Sequence, residues 1–332
     1  MTFTTIKTAL ALLALLTIGA SALAQSGMPA EAKPLTVRPA SKSTAAVLAP
    51  MLGATRAGKR LVAVGDFGTV LLSDDDGKSF RQAASVPVSS TLTAVSFADE
   101  QNGWAVGHWG VILHSADGGE NWSIQRTDTG EDRPLFSVHF FDAREGIAVG
   151  LWSLVLKTRD GGKSWDSLVM PAPPEGGRGD RNLFRIFASP QGSLFVAAER
   201  GAVLRSDDRG ASWRYLNTGY NGSFWSGIAL ADGTLVVAGL RGTLYRSGDD
   251  GRTWQNVPTG SKSSLTDLVA VGDKLIGVGL DGVQIESTDQ GASFVWTQRD
   301  DRLSMTAAVA AGSDGLVRFS KRGVVKPGPT HN

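Results

Sequence analysis

Residues 104–122 read Trp104-Ala105-Val106-Gly107-His108-Trp109-Gly110-Val111-Ile112-Leu113-His114-Ser115-Ala116-Asp117-Gly118-Gly119-Glu120-Asn121-Trp122. An apolar β segment meets a Gly-containing tight turn, a second β segment follows, and a polar turn closes on an aromatic. The same unit starts at Leu61-Val62-Ala63-Val64-Gly65, Ile147-Ala148-Val149-Gly150, Leu194-Phe195-Val196-Ala197, Leu235-Val236-Val237-Ala238-Gly239 and Leu275-Ile276-Gly277-Val278-Gly279. A spacing of roughly 43 residues lies in the range where repeats build propellers or solenoids.

The polar turn follows Ser/Thr-x-Asp-x-Gly-x-Ser/Thr/Asn-aromatic, an Asp-box, with its acids at Asp75, Asp117, Asp160, Asp208, Asp249 and Asp289. A short Asp side chain accepts the N–H groups of its own turn, and Gly takes positive φ without steric cost. The closing Trp or Phe buries a large apolar surface beneath the turn. The six acids therefore read as structural rather than catalytic, including Asp75 in the Asp74–Asp76 run, which reads as a solvated turn rather than a calcium site.

A further β segment precedes each unit: residues 92–97, 135–140, 183–187, 224–229, 265–270 and 304–309. Four strands per repeat make propeller blades. The last copy, with strands near 304–309, 316–319 and 324–325, lacks one strand. The expected fold is all-β: a seven-bladed β-propeller of four-stranded antiparallel blades. The segment Ala45-Ala46-Val47-Leu48 is expected to close the last blade as an N-terminal strand, and the first blade's own inner strand falls near Met51–Thr55.

Lys7, the apolar run from Ala9 to Ile18 and Ala22-Leu23-Ala24 have the three parts of a secretory signal. That run falls short of the ~20 residues needed to span a bilayer, so no membrane insertion of the mature chain is expected. Residues 1–24 read as signal, 25–43 as a flexible linker rich in Pro, Ala, Ser and Lys, and 44–328 as one propeller domain. The chain has no Cys, which excludes disulfides and lipidation at an N-terminal Cys. A soluble, exported, periplasmic product is expected. Removing the signal leaves 33 − 1 = 32 basic residues against 32 acidic ones, so no basic field points to nucleic acid. A closed ring needs no partner subunit, and a monomer is expected.

The unit Ala-Val-Gly-x-x-Gly-x-(Val/Leu)-x-x-(Ser/Thr)-x-Asp-x-Gly, seen from Val64 to Gly77 and from Val106 to Gly119, resembles that of the photosynthesis system II assembly and stability factors, within the wider class of Asp-box (BNR) propellers. The resemblance covers about residues 45 to 325; the third blade departs from it with Ser153 in place of the second Gly. It implies a non-catalytic scaffold that binds a membrane-protein subunit or an extended polypeptide client during assembly of a larger complex. The plain signal without Cys departs from lipoprotein or thylakoid-targeted members.

In such blades the Asp-box joins the third and fourth strands, so the turns joining second to third emerge on the opposite rim beside the inter-blade links. Their tips read Asp66-Phe67, His108-Trp109, Leu151-Trp152, Glu199-Arg200, Leu240-Arg241, Leu280-Asp281 and Lys321-Arg322. Blades one to three thus offer aromatics, and blades four, five and seven arginines. Arg126, Arg133, Arg178, Arg181, Arg299 and Arg302 fall in or beside the links. Exposed Trp and Arg are typical of binding hot spots, so Phe67, His108, Trp109, Trp152, Arg181, Arg200, Arg241 and Arg322 form the candidate binding face. Arg185 and Asp267 stand at equivalent inner-strand positions, where other blades carry Ala94, Ser137, Gly227 and Ala307; they either brace the ring or line a small-ligand site at the channel mouth.

Asp-box propellers also include sialidases and glycan-binding proteins, and Phe184-Arg185-Ile186-Phe187 resembles the sialidase Phe-Arg-Ile-Pro element without its Pro. A sialidase needs a Tyr nucleophile with a Glu partner in place of the usual two carboxylates. Only Tyr220 with Glu199 could offer that pair on the candidate face. His108, His114, His139 and His331 are scattered without metal-ligand spacing. No catalytic residues, metal or cofactor are expected.

Overall fold

The second strand of each blade is a continuous apolar run because both of its faces are covered. In Arg60–Gly65, Leu61 and Ala63 pack with Leu71, Ala307, Val309 and Phe319, whereas Val62 and Val64 pack with Leu72, Leu92, Val95, Ala105 and Leu113. Alternate side chains thus face the blades on either side, as a strand's two-residue period requires. A computed structural model describes residues 36–176, 179–326 and 328–331. The expected signal, the linker up to residue 35 and Arg178 lie outside the described residues.

The first blade runs from inside outwards as Met51–Ala57, Arg60–Gly65, Val70–Ser73 and Arg81–Gln82, in antiparallel order. Blades two to seven repeat it from inner strands Leu92–Phe97, Leu135–Phe140, Leu183–Ala188, Phe224–Ala229, Leu265–Val271 and Met305–Ala311. The protein is a seven-bladed, all-β propeller.

The ring closes by inner-strand packing rather than by strand exchange. Thr306 Oγ1 donates to Met51 O at 2.5 Å, Arg56 to Ala310 O at 3.0 Å, and Gly312 N to Asp76 Oδ1 at 3.1 Å, joining blades seven and one. Among the described residues the seventh sheet has three strands. The expected closing strand is instead a 3-10 turn, Ala46–Leu48, packed on Gly323–Val324. Its N–H groups bond within the turn, Leu48 N to Ala45 O and Ala49 N to Ala46 O, and so do not extend the ladder.

The expected linker also ends earlier than residue 43. Ala40 N donates to Val86 O, Ser43 N to Gln82 Oε1, and Gln82 Nε2 to Ser41 O, so this segment lies against the outer side of the first blade. At the other end, Thr330–His331 extends past the expected boundary and adds a fifth strand to the outer edge of blade six. Covering a sheet edge in this way removes an exposed pairing template.

The Asp-box face carries two bonding systems. Within each turn the Asp serves its own backbone: Asp75 Oδ1 accepts Ser73 Oγ at 2.8 Å and Ser79 N at 2.9 Å, while Oδ2 accepts Ser79 Oγ at 2.6 Å. The pattern repeats at Asp117, Asp160, Asp208, Asp249 and Asp289. The Ser79, Ser212 and Thr253 hydroxyls, then backbone N–H groups, hold Asp75, Asp208 and Asp249 down to about 2. Between blades, a long polar side chain donates to a carbonyl in the next blade's Asp-box turn: Gln125 to Gly161 O, Lys157 to Arg209 O, Arg205 to Asp250 O and Arg246 to Gln290 O, at 2.7 to 2.9 Å.

Candidate functional site on the link face

The turns between second and third strands meet the inter-blade links, as the strand order demands. Each of the first three tips, and those of blades five and six, is a 3-10 turn: Asp66–Gly68, His108–Gly110, Leu151–Ser153, Leu240–Gly242 and Leu280–Gly282. The middle residues Phe67, Trp109, Trp152, Arg241 and Asp281, and Arg200 at the blade-four tip, all have φ between 52° and 59°. This left-handed region costs a non-Gly residue about 1–2 kcal/mol. The following residue is also left-handed, so each tip has the backbone of a type I′ turn, in which Asn-Gly is the favoured pair. Ser153 takes the second position at φ 55° where other tips have Gly. The Lys321-Arg322 tip differs, since only its Gly323 is left-handed.

The links fasten these tips through backbone groups. Asp132 Oδ1 accepts Trp109 N at 2.7 Å, Asn182 Oδ1 accepts Trp152 N at 3.2 Å, and the Ser264 and Ser304 hydroxyls accept Arg241 N and Asp281 N. The other Asp132 oxygen meets His108 Nδ1 at 2.8 Å.

Side-chain exposure sorts the expected binding residues. Phe67 is 68% and Trp152 51% exposed, and Arg200, Arg241 and Arg322 are exposed. Trp109 is half-buried against the core between blades one and two. Between the first two tips a cavity of ≈ 320 Å³ is lined by Phe67, Trp109, His108, Val88, Val111 and the 36–38 segment. Beside Trp152, Val169 is 98% exposed, and both border a recess with Met170 and Arg133.

Arg181 is not the exposed hot-spot residue expected. It is 5% exposed, lies over the Tyr215 ring at 5.2 Å and pairs with Glu175. Burial lowers its pKa, with the Arg200 charge adding to the effect. A long link residue can fold inward because Arg stacks on aromatic faces. Of the other link arginines, Arg126 is tied to Gly110 O and Arg299 to Lys326 O and Asp301, while Arg302 is exposed. Arg181, Arg200, Tyr215 and Tyr220 line a recess of ≈ 790 Å³.

Tyr220 does not meet Glu199 in a nucleophile pair. Its ring packs on Phe224 and Tyr245, and Glu199 accepts both the Asn182 backbone N and Nδ2.

At the channel, a register slip in every inner strand aligns Gly53, Ala94, Ser137, Arg185, Ser226, Asp267 and Ala307. Ser226, not Gly227, is therefore the blade-five equivalent, since in every blade the aligned residue stands two after the first paired residue of the inner strand, here Phe224. Ser137 Oγ accepts Ile186 N and Ser226 Oγ accepts Leu268 N, both at 3.1 Å. Asp267 is buried and joins this belt, with Oδ2 accepting Ala308 N at 3.1 Å and Oδ1 accepting Leu268 N and Ser226 Oγ. Arg185 Nη2 stands 3.8 Å from Asp267 Oδ1, and its side chain is 37% exposed.

The slip residues themselves were not singled out from sequence. In blades two, six and seven they are Thr93, Thr266 and Thr306, whose hydroxyls donate to the first carbonyl of the next inner strand, Leu135 O, Met305 O and Met51 O. In blades three, four and five they are Phe136, Phe184 and Trp225, all partly exposed. The Phe136 and Phe184 rings stack at 5.7 Å.

Comparison with known proteins agrees with this architecture. The family model described as photosynthesis system II assembly factor YCF48 matches residues 81–225. Among solved structures, "YCF48 bound to D1 peptide" superposes with a TM-score of 0.68 at 18% identity, covering 87% of this chain and 98% of that one. YCF48 from Cyanidioschyzon merolae gives 0.65 at 17% identity, covering 88% and 95%. No curated protein matches the chain. The chain is thus similar to the photosynthesis system II assembly factor family in sequence through blades two to four, and it shares the propeller fold of the two solved structures around the whole ring.

Proposed function

We propose that the protein is a non-catalytic, exported scaffold that holds a polypeptide segment of a membrane-protein client on its link face and assists assembly of a membrane complex. The observation that carries this reading is the set of left-handed tips, which project Phe67 and Trp152 on one side and Arg200 and Arg241 on the other. Exposed aromatics and arginines suit an extended, partly acidic segment. The matched family supports the assembly role, and the solved relative bound to a D1 peptide supports a polypeptide client. The signal-like residues 1–24 support export to the periplasm. The Tyr220 and Glu199 geometry leaves no observation in favour of glycoside hydrolysis.

Crosslinking pull-down from membranes tests the reading, comparing the parent with Arg200→Glu, Arg241→Glu, Arg322→Glu. The expected result is a membrane-protein client that the parent recovers and the variant loses. Equal recovery by both forms removes the arginine side from the site, and recovery of no protein client by either form overturns the scaffold.

A further inference from the structure

The seven blades repeat one plan, so a place where the plan is broken is informative. At the slip position a Thr hydroxyl ties neighbouring inner strands in blades two, six and seven. A net ~1 kcal/mol is typical of such a bond. Apart from blade one, which has Leu52 there, three consecutive blades give it up: Phe136 and Phe184 carry no donor, and the Trp225 indole makes no hydrogen bond among the described residues. The replacements are aromatic and partly exposed at the link-side mouth of the channel, two of them stacked.

Next to Phe184 stands Arg185, whose guanidinium makes no hydrogen bond among the described residues and whose one ion-pair partner is 3.8 Å away. That partner, Asp267, already accepts Ala308 N, Leu268 N and Ser226 Oγ, so it does not occupy the Arg185 donors.

We propose that the channel mouth binds a small organic anion with an apolar ring body, separately from any polypeptide on the rim. The body lies on Phe136, Phe184 and Trp225, and the acidic group accepts hydrogen bonds from Arg185. Aromatic faces pack an apolar ring with offset or edge geometry, and an ionised acceptor on a guanidinium makes the stronger, charge-assisted class of bond.

Anilinonaphthalene sulfonate, an aromatic anion that fluoresces when desolvated, serves as the probe on the full purified chain. One saturable site per chain is expected. Arg185→Gln should weaken it about tenfold or more, the usual effect of losing a charged hydrogen bond. Phe184→Thr installs the residue that three other blades use, so folding is protected, and it should weaken the site similarly while the melting temperature holds or rises. Phe67→Ser with Trp152→Ser should leave binding unchanged. Absence of a saturable site, parent-like binding in both channel variants, or loss of binding in the rim variant would each overturn the proposal.

Discussion

Replacing Lys157 by Met tests whether the inter-blade bonds on the Asp-box face hold the ring together. Lys157 is the penultimate residue of the third strand of blade three, Val155–Thr158, only 4% exposed, and its Nζ donates to Arg209 O at 2.8 Å in blade four and pairs with Glu145 Oε1 at 2.9 Å. Met keeps most of the apolar stem, so the change isolates the ammonium head. A hydrogen bond to a charged group contributes roughly 1.5–3 kcal/mol. Breaking a buried ion pair by removing one partner costs about 3–5 kcal/mol. Here Glu145 is only partly covered and keeps Arg209 Nη1 at 2.9 Å, and the variant no longer desolvates an ammonium, so both offsets act. The net loss should be about 2 kcal/mol, or on the order of 3 °C in melting temperature if the ring unfolds as one unit. Urea unfolding of Lys157→Met, Glu145→Gln and the double variant measures it, with a coupling of roughly 0.5–3 kcal/mol expected between the two sites. Unchanged or raised stability in Lys157→Met would refute the claim that these bonds stabilise the closed ring.

The carboxylates of Asp75, Asp208 and Asp249 titrate near 2 instead of the ordinary 3.8; a depressed folded value means stability present above the unfolded value and lost as pH falls through the folded one. Thermal melts should therefore show these turns failing between about pH 4 and pH 2, and Ser79→Ala, which removes the strongest bond on Asp75, should move its share of the loss upwards. A Ser79→Ala profile identical to the parent's would count against this. At the tips, Phe67→Asn and Trp152→Asn relieve left-handed strain of about 1 kcal/mol each, so both variants should melt higher yet recover less client; a lower melting point would show that the rings contribute to packing.

Legibility from sequence tracked how local each determinant is. The Asp-box turns were readable because donor, acceptor and aromatic all lie within eight residues of one another, as Ser73 to Phe80 shows. The link face followed from strand order alone. What depended on pairing was missed: the inner-strand slip that leaves Trp225 out of the ladder between Phe224 and Ser226 exists only relative to the neighbouring strand. Ala45-Ala46-Val47-Leu48 has a strand's composition, but its N–H groups found partners within a 3-10 turn. Arg181 looked exposed because links usually are, yet the Tyr215 ring draws it inward. Lys157, Arg205 and Arg246 each directly precede an Asp-box Ser or Thr, a signal visible in the sequence whose target, a carbonyl one blade away, is not.

Left-handed residues occur on both rims, and the contrast between them favours the link face as the working one. On the Asp-box side, Arg209, Asp250 and Gln290 hold that conformation while their carbonyls accept bonds from the preceding blade, so the strain there serves ring closure. On the link side, the strained tips are fastened through main-chain groups: Trp109 N to Asp132, Trp152 N to Asn182, Arg241 N to Ser264. Those bonds are equally available to Asn or Gly, which the turn geometry favours. The fold therefore requires the conformation but not the side chain. Phe67, Trp152, Arg200 and Arg241 are large, exposed and unfavourable where they stand, and strain retained without a structural return supports the proposal that these tips contact the client.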